Sequence, residues 1–372
     1  MNTPGTHGAP ARMLTFRSGG WVLLMAGVFT LSILVWAVAG AYMRLGSPLV
    51  GDGRDVESYG FDLRNCLVPR ELLVAGGLRK DALRSLDDPE VVRGDDVERI
   101  NADQHGKFLV STDRVIGVTL NDESRAYPLL IMQCHEIAND TLGGVPIAVT
   151  YNPLCDAVVV FERRVDGEVL EFGVSGLLYN SNLLMYDRRP DAAGESLWCQ
   201  LLGRAVTGPR AETRLTVLNA TVTEWGRWFA NHPGTTVLRR EPRMAKRYQE
   251  TSYDSYFRSA KLMFPVSPEA PADGPGPKDR LIVVDAGGQR GVFLTEQVSR
   301  RAGAAGATGT TGSWQTRLGD TTLLFKARPG SRSVTVTTVP PGRPITTIHA
   351  MWFAWHSMYP QEQPIGAGVE AP

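Results

Sequence analysis

Cysteine is scarce in this sequence, and an excess of charge of either sign is absent. Its 372 residues contain only four cysteines, so no dense disulfide framework holds the fold; they are Cys66, Cys134, Cys155 and Cys199. The 39 lysines and arginines balance the 39 aspartates and glutamates, which argues against nucleic acid as a main partner. Cys-x-x-Cys pairs, a P-loop and the glycine-rich dinucleotide fingerprint are also missing, so no standard zinc or nucleotide motif is present.

The composition is typical of a folded protein with many turns. Hydrophobic residues make up 43% and charged residues 21% of the chain, and these proportions exclude a chain that is disordered as a whole. The 39 glycines and 24 prolines favour many short strands over long helices.

The longest apolar run, residues 21–43, carries no charged side chain. A helix of this length would measure about 35 Å at roughly 1.5 Å per residue, enough to cross a hydrocarbon core of about 30 Å. Residues 1–20 hold two arginines and no acid. The sequence therefore predicts a single transmembrane helix over 21–43, with a cytoplasmic N-terminus and the bulk of the chain outside, on the periplasmic side.

Small residues in this run would let a second helix approach closely. Gly27 and Gly40, together with Trp21 and Tyr42 near the membrane interfaces, are therefore the candidate partner-binding residues. One alternative is a lone anchor with an ordinary content of small residues. A second is a cleaved signal peptide, because residues 37–39 resemble a cleavage site, although the apolar run is longer than the usual hydrophobic region of about 7–15 residues.

After the apolar run, the pattern predicts a mainly β (α+β) extracytoplasmic domain. Residues 44–112 are interpreted as a tether with a short helix between Pro69 and Leu86. Alternating strand patterns then begin, with hairpin turns expected at residues 121–122 and 166–167. A helix is expected around Trp225 and Trp228, and the domain ends in a flexible tail over residues 361–372.

Three short segments recur in the same order along this domain, which predicts a degenerate internal duplication. The first repeat is assigned to residues 113–264, and the second, over 265–360, is expected to complete the β core. The matched segments are Asp113-Arg114-Val115-Ile116 with Asp279-Arg280-Leu281-Ile282, residues 163–172 with 316–325, and Trp228-Phe229-Ala230 with Trp352-Phe353-Ala354.

Residues 132–156 carry most of the groups that could perform chemistry. His135, Glu136 and Cys155 are candidate metal ligands, with Cys134 as a further donor, because imidazole, carboxylate and thiolate all bind metals and a histidine beside a glutamate can transfer protons. The alternatives are that the thiols are buried as small apolar groups and that the His-Glu pair satisfies backbone groups at a turn. Neighbouring residues on a strand point to opposite faces, so Cys134 and His135 would rarely hold one ion.

A basic stretch later in the chain is suited to lipid headgroups or an acidic partner, although an ordinary solvated loop is the alternative. Its members are Arg239, Arg240, Arg243, Lys246 and Arg247.

Several long segments in order resemble the prokaryotic family described as domain of unknown function 3179 (DUF3179). They include MQCHEIANDTLGGVPIAVTYNPLCD, FGVSGLLYNSNLLMYDRR and MWFAWHSMYP, and the resemblance runs from about residue 61 to 360. It implies export or membrane attachment but no particular reaction. Members of the family commonly carry Tyr-Cys-Pro-Leu-Cys where this chain has Tyr151-Asn152-Pro153-Leu154-Cys155. The resemblance therefore implies a degenerate Cys-Pro-Leu-Cys motif, and an impaired redox or metal site if the family has one.

These observations favour a single-pass membrane protein that serves as an accessory or scaffold subunit of an integral membrane complex. Photosynthetic and respiratory assemblies are examples of such hosts, and no residue identifies one. The sequence requires no cofactor and indicates no catalytic residue, so the hypothesis that the protein is an enzyme is less favoured. The alternative function is a metal-binding or redox protein that uses His135, Glu136 and Cys155.

Overall fold

The computed structural model describes residues 25–33, 50–103, 107–304, 311–328 and 333–366. The chain divides into two compact units, residues 1–49 and 50–372. In the first unit, residues 25–33 form a helix, α1, and all nine of these residues are exposed. No helix in the described parts of the chain is long and apolar enough to cross a membrane. The predicted transmembrane helix over 21–43 extends on both sides beyond the described residues.

The second unit consists mainly of short strands, as the turn-rich composition predicts. Its strands are β1 (Leu73–Ala75), β2 (Leu86–Asp87), β3 (Val91–Arg93), β4 (Arg114–Leu120), β5 (Glu123–Pro128), β6 (Ile137–Leu142), β7 (Val145–Asn152), β8 (Ala157–Glu162), β9 (Arg164–Val165), β10 (Glu168–Val169), β11 (Phe172–Tyr179), β12 (Asn182–Asp187), β13 (Leu197–Cys199), β14 (Arg204–Thr207), β15 (Val217–Leu218), β16 (Thr221–Glu224), β17 (Thr236–Leu238), β18 (Arg280–Ala286), β19 (Gln289–Leu294), β20 (Gly312–Leu318), β21 (Thr321–Ala327), β22 (Val334–Val339) and β23 (Thr346–Met351).

Helices in this unit are short and lie between the strands. They are α2 (Val97–Asp103), α3 (Leu129–His135), α4 (Trp225–Asn231), α5 (Ala245–Glu250), α6 (Asp254–Arg258), α7 (Thr295–Ala304) and α8 (Trp352–Met358). The predicted helix around Trp225 and Trp228 is confirmed as α4. The predicted hairpin turns are confirmed by the antiparallel pairs β4–β5 and β9–β10.

An eight-stranded sheet forms the middle layer of the unit. Its order is β19-β18-β23-β8-β7-β6-β2, with β15 pairing to β8. The sheet β1-β11-β12-β13-β14 packs on one face and the sheet β16-β4-β5-β17-β3 on the other, each across a separate apolar core. In β8, Val159 and Phe161 point into the first core, whereas Val158 and Val160 point into the second. Burial on both faces explains why this strand reads as a continuous apolar run.

The predicted helix between Pro69 and Leu86 is wrong. Only residues 70–72 form a short 3-10 turn, and the chain continues as β1 and, later, β2. β1 pairs with β11 and places Leu73 opposite Tyr179, while β2 pairs with β6. Partners that are distant in sequence thus override the local helical spacing.

Two stretches of the unit share one order of elements. A hairpin (β4–β5), helix α3, a three-strand meander (β6–β8), strand β16 and helix α4 are matched by β18–β19, α7, β20–β22, β23 and α8. In each stretch the last strand pairs with the first, so that Glu224 lies opposite Arg114 and Met351 opposite Arg280. The segment from β9 to β15 interrupts the first stretch alone.

Candidate functional site

His135 is the last residue of α3, and its buried ring lies between two hydrogen bonds. Nδ1 is 2.7 Å from the carbonyl oxygen of Arg84, and Nε2 is 2.8 Å from the hydroxyl of Tyr248. Because a carbonyl only accepts, Nδ1 donates and Nε2 accepts the proton of Tyr248. Burial lowers the pKa of His135, which favours this neutral tautomer. The lone pair on Nε2 therefore already accepts a hydrogen bond, and a metal ion would have to displace the Tyr248 hydroxyl to bind there.

Glu136 follows directly and ends α3 with a φ of 59°. Residues with a side chain rarely adopt such a φ. Burial raises the pKa of the Glu136 carboxyl to about 8, and none of the described residues donates a hydrogen bond to it. The raised pKa favours the protonated form of Glu136 at neutral pH, which makes it the predicted site residue best suited to proton transfer.

Cys134 lies on α3 rather than on a strand. Its buried thiol packs in the second core, and Sγ is 4.0 Å from the carbonyl oxygen of Arg247. Burial raises the pKa of this thiol, which leaves it in the unreactive protonated form.

Cys155 lies on the opposite side of the eight-stranded sheet, in the first core. Its Sγ accepts a hydrogen bond of 3.4 Å from the amide of Asn182, and the oxygen of the same amide accepts one of 3.5 Å from Cys199. Gln200 extends this buried network by accepting from Asn182 at 2.8 Å. Burial raises the pKa of both thiols to about 12, so neither is a thiolate nucleophile at neutral pH. All four cysteines of the chain are free thiols.

Asp156, next to Cys155, is the centre of a buried ion cluster that the sequence analysis missed. Its carboxylate binds Arg114 at 3.1 Å and also Arg280, and it accepts a hydrogen bond of 2.9 Å from Tyr151. Burial alone would raise the pKa of Asp156, but the two arginines outweigh it and lower the pKa to about 2. A signal for this cluster was available in the sequence, because each of its arginines belongs to one of the two Asp-Arg pairs at residues 113–114 and 279–280.

The structure does not bring the predicted ligands together. Cys134 and Cys155 occupy cores on opposite faces of one sheet, and the ring nitrogens of His135 are both bonded. Within the described ranges, no three side chains of His, Cys, Asp or Glu are placed to hold a metal ion. The metal and redox hypothesis for His135, Glu136 and Cys155 stays a prediction.

Of the candidate partner-binding residues, Gly27 alone lies within the described residues. It is part of α1, and among the described residues no heavy atom outside the backbone of its own helix lies within 4 Å of the position that a Cβ would take. Trp21, Gly40 and Tyr42 lie outside the described residues.

Comparison with known proteins gives a family and no activity. The family model described as "Protein of unknown function (DUF3179)" matches residues 80–362. No curated protein and no solved structure matches the chain. The matched segment covers more than half of the sequence and includes α3, the Cys155 network and the Asp156 cluster, and so the protein belongs to the DUF3179 family.

Proposed function

We propose that this protein is a single-pass, membrane-anchored accessory subunit that docks on an integral membrane complex, with its β domain on the outer side. The observation that carries the proposal is the exposed apolar surface of α1. Five large apolar side chains of this helix are between 51% and 69% exposed; they are Met25, Val28, Phe29, Leu31 and Ile33. A helix that is apolar all round is typical of a membrane environment.

The hydroxyl of Thr30 forms its hydrogen bond within α1. Thr30 Oγ1 donates to the carbonyl oxygen of Ala26 at 2.8 Å. This i−4 bond removes the need for water or another polar partner, as an apolar surrounding requires. The open space beside Gly27 would accept the close approach of a transmembrane helix of the partner.

The state of the chemical groups also favours a structural role. The ring of His135 and the thiols of Cys155 and Cys199 are hydrogen-bonded inside the fold. Buried groups that are fully bonded stabilise one conformation and leave no open coordination position.

We infer in addition that the second unit is a degenerate duplication. The amide of Trp225 donates to the carbonyl of Asp113, and the amide of Trp352 donates to the carbonyl of Asp279, both at 2.8 Å. The helices that begin at these tryptophans each have seven residues and similar C-cap angles. These contacts align Trp225 with Trp352, three residues away from the sequence-based match of Trp228 with Trp352.

The other segment match is not supported by the order of elements. Residues 316–325 lie in the β20–β21 hairpin, whose place in the first stretch is taken by β6–β7. Residues 163–172 instead belong to the interrupting segment. The inferred duplication is therefore supported by the first and last elements of each stretch and not by the elements between them.

Co-purification tests the proposed function. Native membranes are solubilised gently, fractionated by size and analysed for proteins that migrate with the full-length chain. We expect migration with an integral membrane complex and release from it in Gly27→Leu, because the larger side chain would block a neighbouring helix. Met25→Leu lies on the opposite side of α1, at about 100° per residue, and is the matched control.

A chain that migrates as a lone monomer while other complexes stay intact would contradict the proposal. Elemental analysis of the same preparation tests the alternative function. Stoichiometric metal that is lost in Cys155→Ser would favour a metal-binding protein over a scaffold subunit.

A further inference from the structure

A large open cleft lies next to His135, on the outside of the fold. Its volume is about 670 Å³, within the range of roughly 300–1,000 Å³ that is usual for small-molecule sites. The segment before and after β2 forms one wall, and the segment that leads from β17 into α5 forms the other. The second wall contains most of the basic stretch that the sequence analysis identified.

Three of the four arginines that line the cleft have no counter-ion. No carboxylate of the described residues lies within ion-pair distance of Arg84, Arg240 or Arg247. The fourth, Arg239, pairs with Glu90 at 3.1 Å.

The carboxylates of the cleft leave this excess of positive charge in place. Asp87 is neutralised by Arg188 at 2.6 Å, and Glu90 by the ion pair with Arg239. Asp88 and Glu241 remain without an ion pair. The unpaired cations therefore outnumber the unpaired carboxylates by three to two.

Arg240 is the arginine of the cleft whose guanidinium is least satisfied by the protein. Its Nε is buried and has no hydrogen-bond partner, and its guanidinium carbon lies 5.7 Å from the ring centre of Phe108. Burial lowers the pKa of Arg240, although the charge of Asp113 opposes this shift. A buried donor that is left unpaired costs free energy.

From this arrangement we propose that the cleft is a binding site for a small phosphate-bearing molecule, whose phosphate oxygens are bound by Arg84, Arg240 and Arg247. Guanidinium groups bind phosphate oxygens through paired, charge-assisted hydrogen bonds. Apolar lining from Leu86, Pro242 and Met244 provides contact for an organic portion of the ligand. The site does not depend on the proposed membrane anchor.

Calorimetric titration of the full-length chain in detergent tests the site. The probes are inorganic phosphate and a water-soluble, short-chain phosphatidylglycerol below its micelle concentration, with short-chain phosphatidylcholine for comparison. We expect saturable binding of at least one of the two anionic probes. The double variant Arg240→Gln/Arg247→Gln should weaken it at least tenfold, because two charge-assisted contacts are lost. Arg243→Gln removes an exposed arginine of the same stretch that does not line the cleft, and it should leave the affinity unchanged.

The two probes distinguish the source of the phosphate. Binding of inorganic phosphate indicates a soluble ligand, whereas binding of phosphatidylglycerol alone indicates a lipid headgroup. Absence of saturable binding for both anionic probes would overturn the proposal, as would equal weakening in the double variant and in Arg243→Gln. A circular dichroism spectrum of each variant separates loss of the site from loss of the fold.

Discussion

The two stretches with matching element order differ in the helix that follows their first hairpin. Helix α3 ends in the buried His135 and continues into Glu136, which has a positive φ. Helix α7 buries Thr295, Val298, Ser299 and Ala302, and no ionisable side chain is among them. Since α7 forms without such groups, the layout does not need them. The ionisable residues at the end of α3 are therefore not required by this layout, and one of them, His135, lines the arginine-rich cleft.

The two stretches meet at Asp156, and breaking this contact should have the largest effect on the free energy of unfolding. Arg114 and Arg280 occupy matching positions in the two stretches, and both bind this one carboxylate. Asp156→Asn leaves two arginines without a partner in a buried place and should lower the free energy of unfolding by about 4 kcal/mol. Denaturant unfolding at pH 7 measures the change. Glu296→Gln, which breaks an exposed ion pair with Arg300, is the control and should leave the midpoint unchanged.

The pH dependence gives a second check on the same variant. The pKa of Asp156 is about 2 in the folded chain, against an ordinary value of 3.8. A depressed pKa stabilises the fold above pH 4, and this stabilisation is lost as the pH falls toward 2. The difference between the wild type and Asp156→Asn should therefore shrink over that interval. A constant difference from pH 6 to pH 2 would show that Asp156 does not act through its charge.

The second largest effect on the free energy of unfolding is expected from a substitution in β4, the strand that matches β18. Gly117 of β4 corresponds to Val283 of β18 when the Asp-Arg pairs are aligned. A Cβ on Gly117 would overlap the ring of Trp228, which is itself fixed by a 2.9 Å hydrogen bond from Nε1 to Thr235. Gly117→Val should therefore destabilise the fold by about 3 kcal/mol through overpacking, as measured by denaturant unfolding. Gly234→Val, at a position with open space around it, should have little effect.

A double-variant cycle identifies the cause of that loss. If the overlap with the indole ring is responsible, Gly117→Val should cost much less in a Trp228→Leu background. Equal costs in the two backgrounds would instead attribute the effect to the backbone of β4.

The third effect concerns Glu136, for which α7 has no counterpart. Its pKa of about 8 lies above the ordinary 4.5, so the folded chain holds a proton that the unfolded chain releases. The associated stability is present below pH 4.5 and is lost as the pH rises through 8. Glu136→Gln should remove this loss and make the chain more stable than the wild type by about 2 kcal/mol near pH 8.5.

Thermal unfolding between pH 5 and pH 9 measures the crossing of the two stability curves. Glu98→Gln, an exposed glutamate of α2, serves as the control and should follow the wild-type curve. Parallel curves for the wild type and Glu136→Gln would contradict a buried, protonated carboxyl.

Local features of the fold could be predicted from the sequence, and long-range ones could not. The turn at residues 121–122 and the helix at Trp225 depend on neighbouring residues, and both are confirmed. The segment after Pro69 has helical spacing as well, but β1 is stabilised by pairing with β11, about one hundred residues later. Local propensity contains no information about such a partner.

Prediction of the candidate site from the sequence was limited by the same lack of long-range information. The residues of segment 132–156 are close in sequence, which made His135, Glu136 and Cys155 a natural set of ligands. A sheet separates the core of Cys134 from that of Cys155, and the partner of His135 is Tyr248, which is 113 positions away. Which side of a sheet a residue faces depends on the register of the whole sheet, and this was not readable from one segment.

The smallest effect is expected where the two stretches are most alike. His232 stacks on Trp228 with ring centres 3.9 Å apart, and Tyr359 stacks on Trp355 at 4.4 Å, with interplanar angles of 30° and 28°. Because the stacking geometry is shared, His232→Tyr should change the free energy of unfolding by no more than about 0.5 kcal/mol. Each exchange removes one hydrogen bond, of His232 Nδ1 with Ser124 at 3.3 Å or of the Tyr359 hydroxyl to the carbonyl of Leu201 at 3.2 Å. The reciprocal Tyr359→His should cost more, because it also removes the phenol ring that Arg290 contacts at 5.0 Å. Denaturant unfolding of both exchanges tests this asymmetry. A large loss in His232→Tyr would mean that the two aromatic pairs are not equivalent, and it would count against the inferred duplication.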